Sequence, residues 1–218
     1  MSKTQNGGAP ELSRACPPRH RQGFTVLFAG LSGAGKSTLA AVLAAMLRES
    51  GDRRVTLLDG DAVRRLLSSE LGFSREHREL NLRRIGFVAG EVTRHGGIAV
   101  CALIAPYAAS RRELRRTIEA VGGFVEVHVS TPLAACEARD PKGLYAKARA
   151  GLVRGLTGID DPWEPPERPD VEIDTTDMPP GLAARRILAK LESLGYIRQS
   201  RPAQAPAPEA RFAPDARS

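Results

Sequence analysis

Between residue 24 and about residue 194, short apolar runs alternate with longer segments in which apolar positions recur every three or four residues. The first run, FTVLFA at 24–29, reads as a strand. A helical segment follows at 36–50, with Leu39, Val42, Leu43, Met46 and Leu47 on one face and Gly51 as its stop. The second apolar run, 55–58, ends at Asp59-Gly60-Asp61. Helical spacing returns at 62–69 and at 75–95, where Leu82, Ile85, Val88, Ala89 and Val92 align before Gly96 and Gly97. Strands are predicted at 98–104, 124–129 and 171–173, and helices at 110–120, 132–138 and 181–194. Strands that alternate with helices in this way predict an α/β fold on a parallel sheet. Residues 140–169 break the rhythm. They are rich in Gly, Pro and basic residues, hold a short Lys/Arg-rich helix near 142–150, and read as a mobile lid over one edge of the sheet.

Composition changes this picture mainly at the ends. The 218 residues are 42% hydrophobic and 26% charged, enough to bury one core, so a single folded domain at 23–197 is expected. Residues 1–22 are rich in Gly, Pro and Arg, and 198–218 in Ala, Pro and Arg; both read as disordered basic tails. The formal charge of +7 sits largely there: +3 on the first segment and +2 on the last leave only +2 for the body. That argues against a nucleic-acid partner, whose backbone needs an extended basic groove, and makes any anion site local. No apolar run approaches the ~18 residues of a membrane span, and the N-terminus lacks an apolar signal core, so neither a membrane nor secretion is indicated. Three cysteines in no paired motif fit a reducing, cytoplasmic setting; Cys101 and Cys136 read as buried small hydrophobes and Cys16 as part of a tail.

The chemistry is concentrated at the strand ends. Gly30, Leu31, Ser32, Gly33, Ala34, Gly35, Lys36, Ser37 and Thr38 spell GxxxxGK[ST] between a strand and a helix. In that context, backbone N–H groups and the helix N-terminus converge on a polyphosphate, Lys36 reaches the β- and γ-phosphates, and the Ser37 hydroxyl meets Mg²⁺. Asp59 and Asp61 follow the second strand, on the edge where open α/β sheets bind ligands, and can divide an acceptor hydroxyl and a metal between them. The plainer alternative is a turn in which Asp61 caps a helix. Arg64, Arg78 and Asn81 surround Phe73, a grouping that suits an anionic acceptor with a stacked base, or equally solvated helix faces around a core aromatic.

The segments GLSGAGKST, LDGDAVR, LGFSREHRELNLRRI, LIAPY, CEARDPKGLYAKARAG and LTGIDDPWEPPERPD, collinear over about residues 22–197, resemble adenylylsulfate kinase, the APS kinase of sulfate activation. The resemblance implies a three-layer α/β/α P-loop kinase fold with a mobile lid. It also implies transfer of the γ-phosphoryl of ATP, with Mg²⁺, to the ribose 3′-hydroxyl of adenosine 5′-phosphosulfate. By the same likeness Asp59 would orient or deprotonate the hydroxyl, and Asp61 would support the Mg²⁺ site and the acceptor. Arg64, Arg78 and Asn81 would hold the phosphosulfate, Phe73 would stack on the acceptor adenine, and Ile104 and Ala105 would line that site. Arg139 would pack against the ATP adenine, and Lys142 would enter the closed site on the lid. A stand-alone enzyme and a homodimer are the further expectations.

Two positions depart from the family pattern. Ala105 stands where many members have Ser, so no phosphoserine can form there and direct in-line transfer is implied. Leu156 replaces a second aromatic expected to sandwich the acceptor adenine with Phe73. Loss of that π-face predicts acceptor binding weaker by roughly tenfold, or ~1.4 kcal/mol. Both departures keep open a kinase of the same fold with another nucleotide-like acceptor. A non-catalytic nucleotide-binding module and a polynucleotide kinase are more distant readings.

Overall fold

The computed structural model describes residues 17–51 and 53–198. In chain order they form β1 (Phe24–Ala29), α1 (Lys36–Glu49), β2 (Val55–Asp59), α2 (Gly60–Leu66), α3 (Arg75–Arg94), β3 (Ile98–Ala102) and α4 (Ala108–Glu119). Then come β4 (Gly123–Val129), α5 (Leu133–Arg139), α6 (Leu144–Arg149), β5 (Val171–Ile173) and α7 (Pro180–Ser193). The strands make one parallel sheet in the order β2-β3-β1-β4-β5.

Strands β1 and β4 are buried along their whole length, including Thr25, Glu126 and His128, because both sides of the sheet are covered. Side chains on a strand alternate between faces, and the two cores follow that period. Phe24, Val26 and Phe28 join the core with α1 and α7, whereas Leu27 and Ala29 join the core with α3 and α4. The result is the expected three-layer α/β/α arrangement. Cys101 and Cys136 are free and buried within it. Among the described residues, no helix is long and apolar enough to cross a membrane.

Element ends differ from the sequence pattern where side chains or backbone dihedrals intervene. Helix α2 begins at Gly60 rather than 62, because the cap is Asp59 and not Asp61: its carboxylate accepts from Asp61 N at 3.0 Å. Strand β3 stops at Ala102, short of the predicted 104. Ala105 takes φ 47°, a left-handed conformation that turns the chain off the sheet. At the other end of the domain, Arg19–Arg21 forms a single 3-10 turn inside the segment expected to be tail. Arg19 Nη1 donates to Leu194 O at 3.2 Å, and the guanidinium lies 5.7 Å from the centroid of Tyr196, which stacks on Phe24. Residues 1–16, with Cys16, and 199–218 lie outside the described residues.

The segment expected as a lid lies against the loop after β1. The Asp140 carboxylate accepts from Tyr145 N and Ala146 N, capping α6. Tyr145, 1% exposed, donates its hydroxyl to Ser32 O at 2.9 Å, which ties α6 to the loop after β1.

One buried polar pair joins the sheet to α3: Thr25 and Thr93 share a hydroxyl hydrogen bond of 2.8 Å in an otherwise apolar setting. Replacing one partner leaves the other buried and unpaired, which costs ~1–3 kcal/mol, while replacing both removes the penalty. Thr25→Val and Thr93→Val are each expected to destabilise by ~1–2 kcal/mol, and the double variant by clearly less than their sum, as measured by urea unfolding.

Candidate functional site

The parallel sheet brings the loops after β1, β2 and β3 to one edge, where they enclose a cavity of about 730 Å³. Sites for small molecules typically fall in the range of roughly 300–1,000 Å³. The phosphate loop forms one wall. Gly33 at φ 73° and Gly35 at φ 92° occupy the left-handed region, and a Cβ on Gly33 would lie 2.8 Å from Cys136 O, so only glycine fits there. Helix α1 starts at Lys36 with no side-chain cap, so its N-terminal amides and dipole are open to an anion. Lys36 is 8% exposed and donates to Leu31 O at 2.6 Å. Burial lowers its ammonium to about 8, with Lys142 adding to the shift and Asp59 and Asp61 opposing it.

The two aspartates stand apart in their bonding. Asp59 accepts from Ser37 Oγ at 2.7 Å through Oδ2, and from the first amides of α2 through Oδ1. Asp61 is half exposed and forms an ion pair with Lys142 from the covering segment. Ser37 therefore faces Asp59, where the sequence had matched it with Asp61. Two hard oxygen donors touching across the cavity fit a Mg²⁺ ion, which takes only one or two protein carboxylates and completes its shell with phosphate and water. In keeping with that economy, the described residues contain no cluster of three or more potential ligands.

On the far side of the aspartates, Arg64, Phe73, Arg78 and Asn81 line the cavity together with Ile104 and Ala105. Asn81 is buried and its Oδ1 has no hydrogen-bond partner. Phe73 is 62% exposed, and its ring already carries a cation: Arg64 Cζ lies 4.5 Å from the centroid and Arg78 Cζ 5.7 Å. Arg64 also donates to Gly72 O at 3.0 Å, and Arg78 donates to Phe73 O at 2.8 Å and Gly155 O at 2.5 Å. Without a ligand, the guanidinium groups are held by backbone carbonyls.

Arg139 lies beside the phosphate loop, donating to Thr175 Oγ1 at 2.8 Å and Thr175 O at 2.7 Å. Gly30, Leu31 and Ala34 belong to the loop but not to the cavity lining. Leu156 is a larger departure. It is 6% exposed, packs in the core shared with α1 and α7, and does not line the cavity, so no sandwich with Phe73 forms. Tyr107 lines the cavity as the end of LIAPY, and Thr175, Met178 and Ser110 line it but carry no motif. Their one sequence signal is position just beyond a predicted strand, on the ligand-binding edge of a parallel sheet.

A family model described as adenylylsulphate kinase matches residues 22–174. The chain is 48% identical over 188 residues to a sulfate adenylyltransferase of Phaeosphaeria nodorum, covering 86% of this chain and 33% of that protein. It is 48% identical over 187 residues to one of Aspergillus terreus, covering 85% and 33%. The chain thus spans about a third of the length of these curated relatives. Among solved structures, the Mycobacterium tuberculosis APS kinase CysC in complex with AMPPNP and APS is 41% identical with a TM-score of 0.75, covering 81% of this chain and 99% of that one. A hexameric APS kinase from Thiobacillus denitrificans is 55% identical with a TM-score of 0.68, covering 84% and 31%.

Two outcomes follow from the geometry. Lys36 is cationic below about 8 and neutral above it, so Mg·ATP affinity is expected to be flat up to that pH. Above it, affinity should weaken toward about tenfold per pH unit, and Lys36→Met should remove the dependence. Calorimetry between pH 7 and 10 checks this. Leu156→Phe must force a larger ring into a filled core, so it is expected to cost ~1–3 kcal/mol of stability and bring no gain in acceptor affinity. Thermal unfolding and an acceptor titration measure the two effects.

Proposed function

The chain belongs to the adenylylsulfate kinase family, and from that membership we propose that it transfers the γ-phosphoryl group of ATP to the ribose 3′-hydroxyl of adenosine 5′-phosphosulfate, giving 3′-phosphoadenosine 5′-phosphosulfate (PAPS). The observation that carries this reading is the Ser37–Asp59 contact at 2.7 Å, which lies between an uncapped helix N-terminus on one side and an Arg-, Asn- and Phe-lined half-cavity on the other. A donor polyphosphate and an anionic, base-bearing acceptor would meet across it.

Phosphoryl transfer demands positioning and charge stabilisation more than covalent chemistry from the protein. The loop amides and Lys36 bind the donor phosphates, and Arg139 with Thr175 bounds the nucleotide half. Ser37 and Asp59 would hold Mg²⁺, which when bound neutralises charge on the phosphate oxygens. Asp59 thereby takes the metal, which the sequence reading gave to Asp61, and Asp61 keeps the acceptor. Both Asp59 oxygens are engaged, by Ser37 and by the amides of α2, whereas Asp61 is bonded only to Lys142 and can turn to the acceptor hydroxyl when that lysine moves to phosphate. Arg64 and Arg78 exchange their carbonyl partners for the phosphosulfate, and Asn81 Oδ1 gains a donor. Ala105 offers no hydroxyl, so transfer is direct. The covering segment, pinned by Tyr145 to Ser32, keeps water from competing for the γ-phosphoryl group.

A coupled ADP-release assay tests the reading, with adenosine 5′-phosphosulfate compared against AMP and a short oligonucleotide. Phosphosulfate-dependent turnover is expected, and no ADP above the background of ATP alone would sink the acceptor assignment. Asp61→Asn is expected to lower kcat by ~100-fold or more with ATP affinity retained. Asp59→Asn is expected chiefly to raise the Mg²⁺ concentration needed for half-maximal rate.

A further inference from the structure

Arg111, in the first turn of α4, lies outside every motif that points to the site. It is 3% exposed and uses three faces of its guanidinium on three separate segments. Nε donates to Glu126 Oε1 of β4 at 3.0 Å, Nη1 to Ala105 O at 2.7 Å, and Nη2 to Glu164 O at 2.6 Å. Its Cζ also lies 5.4 Å from the centroid of Trp163. Two further bonds tie the same segments together: Glu164 N donates to Pro106 O at 3.0 Å, and Ala108 N donates to the Glu164 carboxylate at 2.7 Å.

Burying a charge to fill space is a poor use of it, because an apolar side chain of similar volume commonly serves stability as well or better. A planar fork of fixed donors, by contrast, dictates direction. The carbonyl caught by Nη1 belongs to Ala105, a non-glycine residue at φ 47° on the cavity wall. The carbonyl caught by Nη2 belongs to the C-terminal stem of the covering segment. Glu126 is itself fixed from behind, since Arg115 and Asp170 bracket it and Asp170 Oδ2 accepts from its amide at 2.8 Å.

We propose that Arg111 is a positioning residue for the acceptor: it holds the Ile104–Tyr107 backbone in the shape that faces the phosphosulfate nucleotide and latches that wall to the stem of the covering segment at Glu164. The inference rests on the reading above that this half of the cavity takes the acceptor. It assigns Arg111 no contact with substrate. The phosphate loop is not among the partners of Arg111 and meets this wall through Gly30 N, which donates to Ile104 O at 3.3 Å.

The test uses Arg111→Lys, which keeps a cation for Glu126 but cannot span the two carbonyls, and the double variant Arg111→Met with Glu126→Gln, which removes the buried charge pair together. In either, the acceptor KM is expected to rise about tenfold or more while the Kd for Mg·ATP stays within about twofold. In the free protein, amide hydrogen exchange at Ala108 and Glu164 is expected to accelerate about tenfold, while Ala34 and Leu39 at the phosphate loop stay unchanged. Acceptor and ATP affinities that fall together, or exchange that stays unaltered or quickens throughout the chain, would overturn the proposal. Should the native chain turn over no phosphosulfate, the functional reading fails and the exchange pattern alone decides the role of Arg111.

Discussion

Asp59, Ala102 and Phe28 stand level across β2, β3 and β1, because parallel pairing sets Asp59 against Ala102 and Ala102 against Phe28. That register is the constraint on which the site depends. It makes three loops leave the sheet side by side: the phosphate loop after Ala29, the aspartates after Leu58, and the Ile104–Tyr107 wall after Ala102. The 2.7 Å contact between Ser37 and Asp59, residues 22 positions apart, is a consequence of it. A one-residue slip of β2 would turn its side chains to the opposite face and separate the carboxylate from the loop.

The cavity gathers Lys36, Arg64, Arg78, Arg139 and Lys142 in a body with little net charge, and such a concentration of cations has to be managed before any ligand arrives. Each cation has a stand-in partner: Leu31 O for Lys36, Gly72 O for Arg64, Gly155 O for Arg78, Thr175 for Arg139, and Asp61 for Lys142. Under the proposed function, charged ligand oxygens would replace the neutral carbonyls around Lys36, Arg64 and Arg78, and the net gain would come from that difference. Lys36 carries the clearest mark of the cost, since burial has lowered its ammonium to about 8.

The covering segment and the acceptor wall form one mechanical unit. Arg111 and Glu164 stitch residues 105–108 to the stem, Arg78 reaches Gly155, and Tyr107 donates to Asp161 at 3.1 Å. The phosphate loop meets the same segment at a different place, through Tyr145 and Ser32. The two sides of the cavity are thus joined to one cover by separate contacts and to each other through Gly30 N, which donates to Ile104 O at 3.3 Å.

The sequence by itself determined the layered α/β fold, the strands and helices to within a few residues, and the phosphate loop, because apolar period and glycine spacing are local properties. It also singled out Asp59 and Asp61 just after a predicted strand, and Arg64, Phe73, Arg78 and Asn81 as a basic, polar and aromatic grouping, and the structure brings all six to one cavity. Tertiary structure decided what local pattern cannot express. Which aspartate meets Ser37 depends on the register of β2 against β3. Whether Leu156 faces a ligand or the core depends on how the covering segment folds back. Thr175 and Arg111 acquire their roles only when segments distant in sequence pack together, since a threonine or a helix arginine announces nothing until its partners are in place.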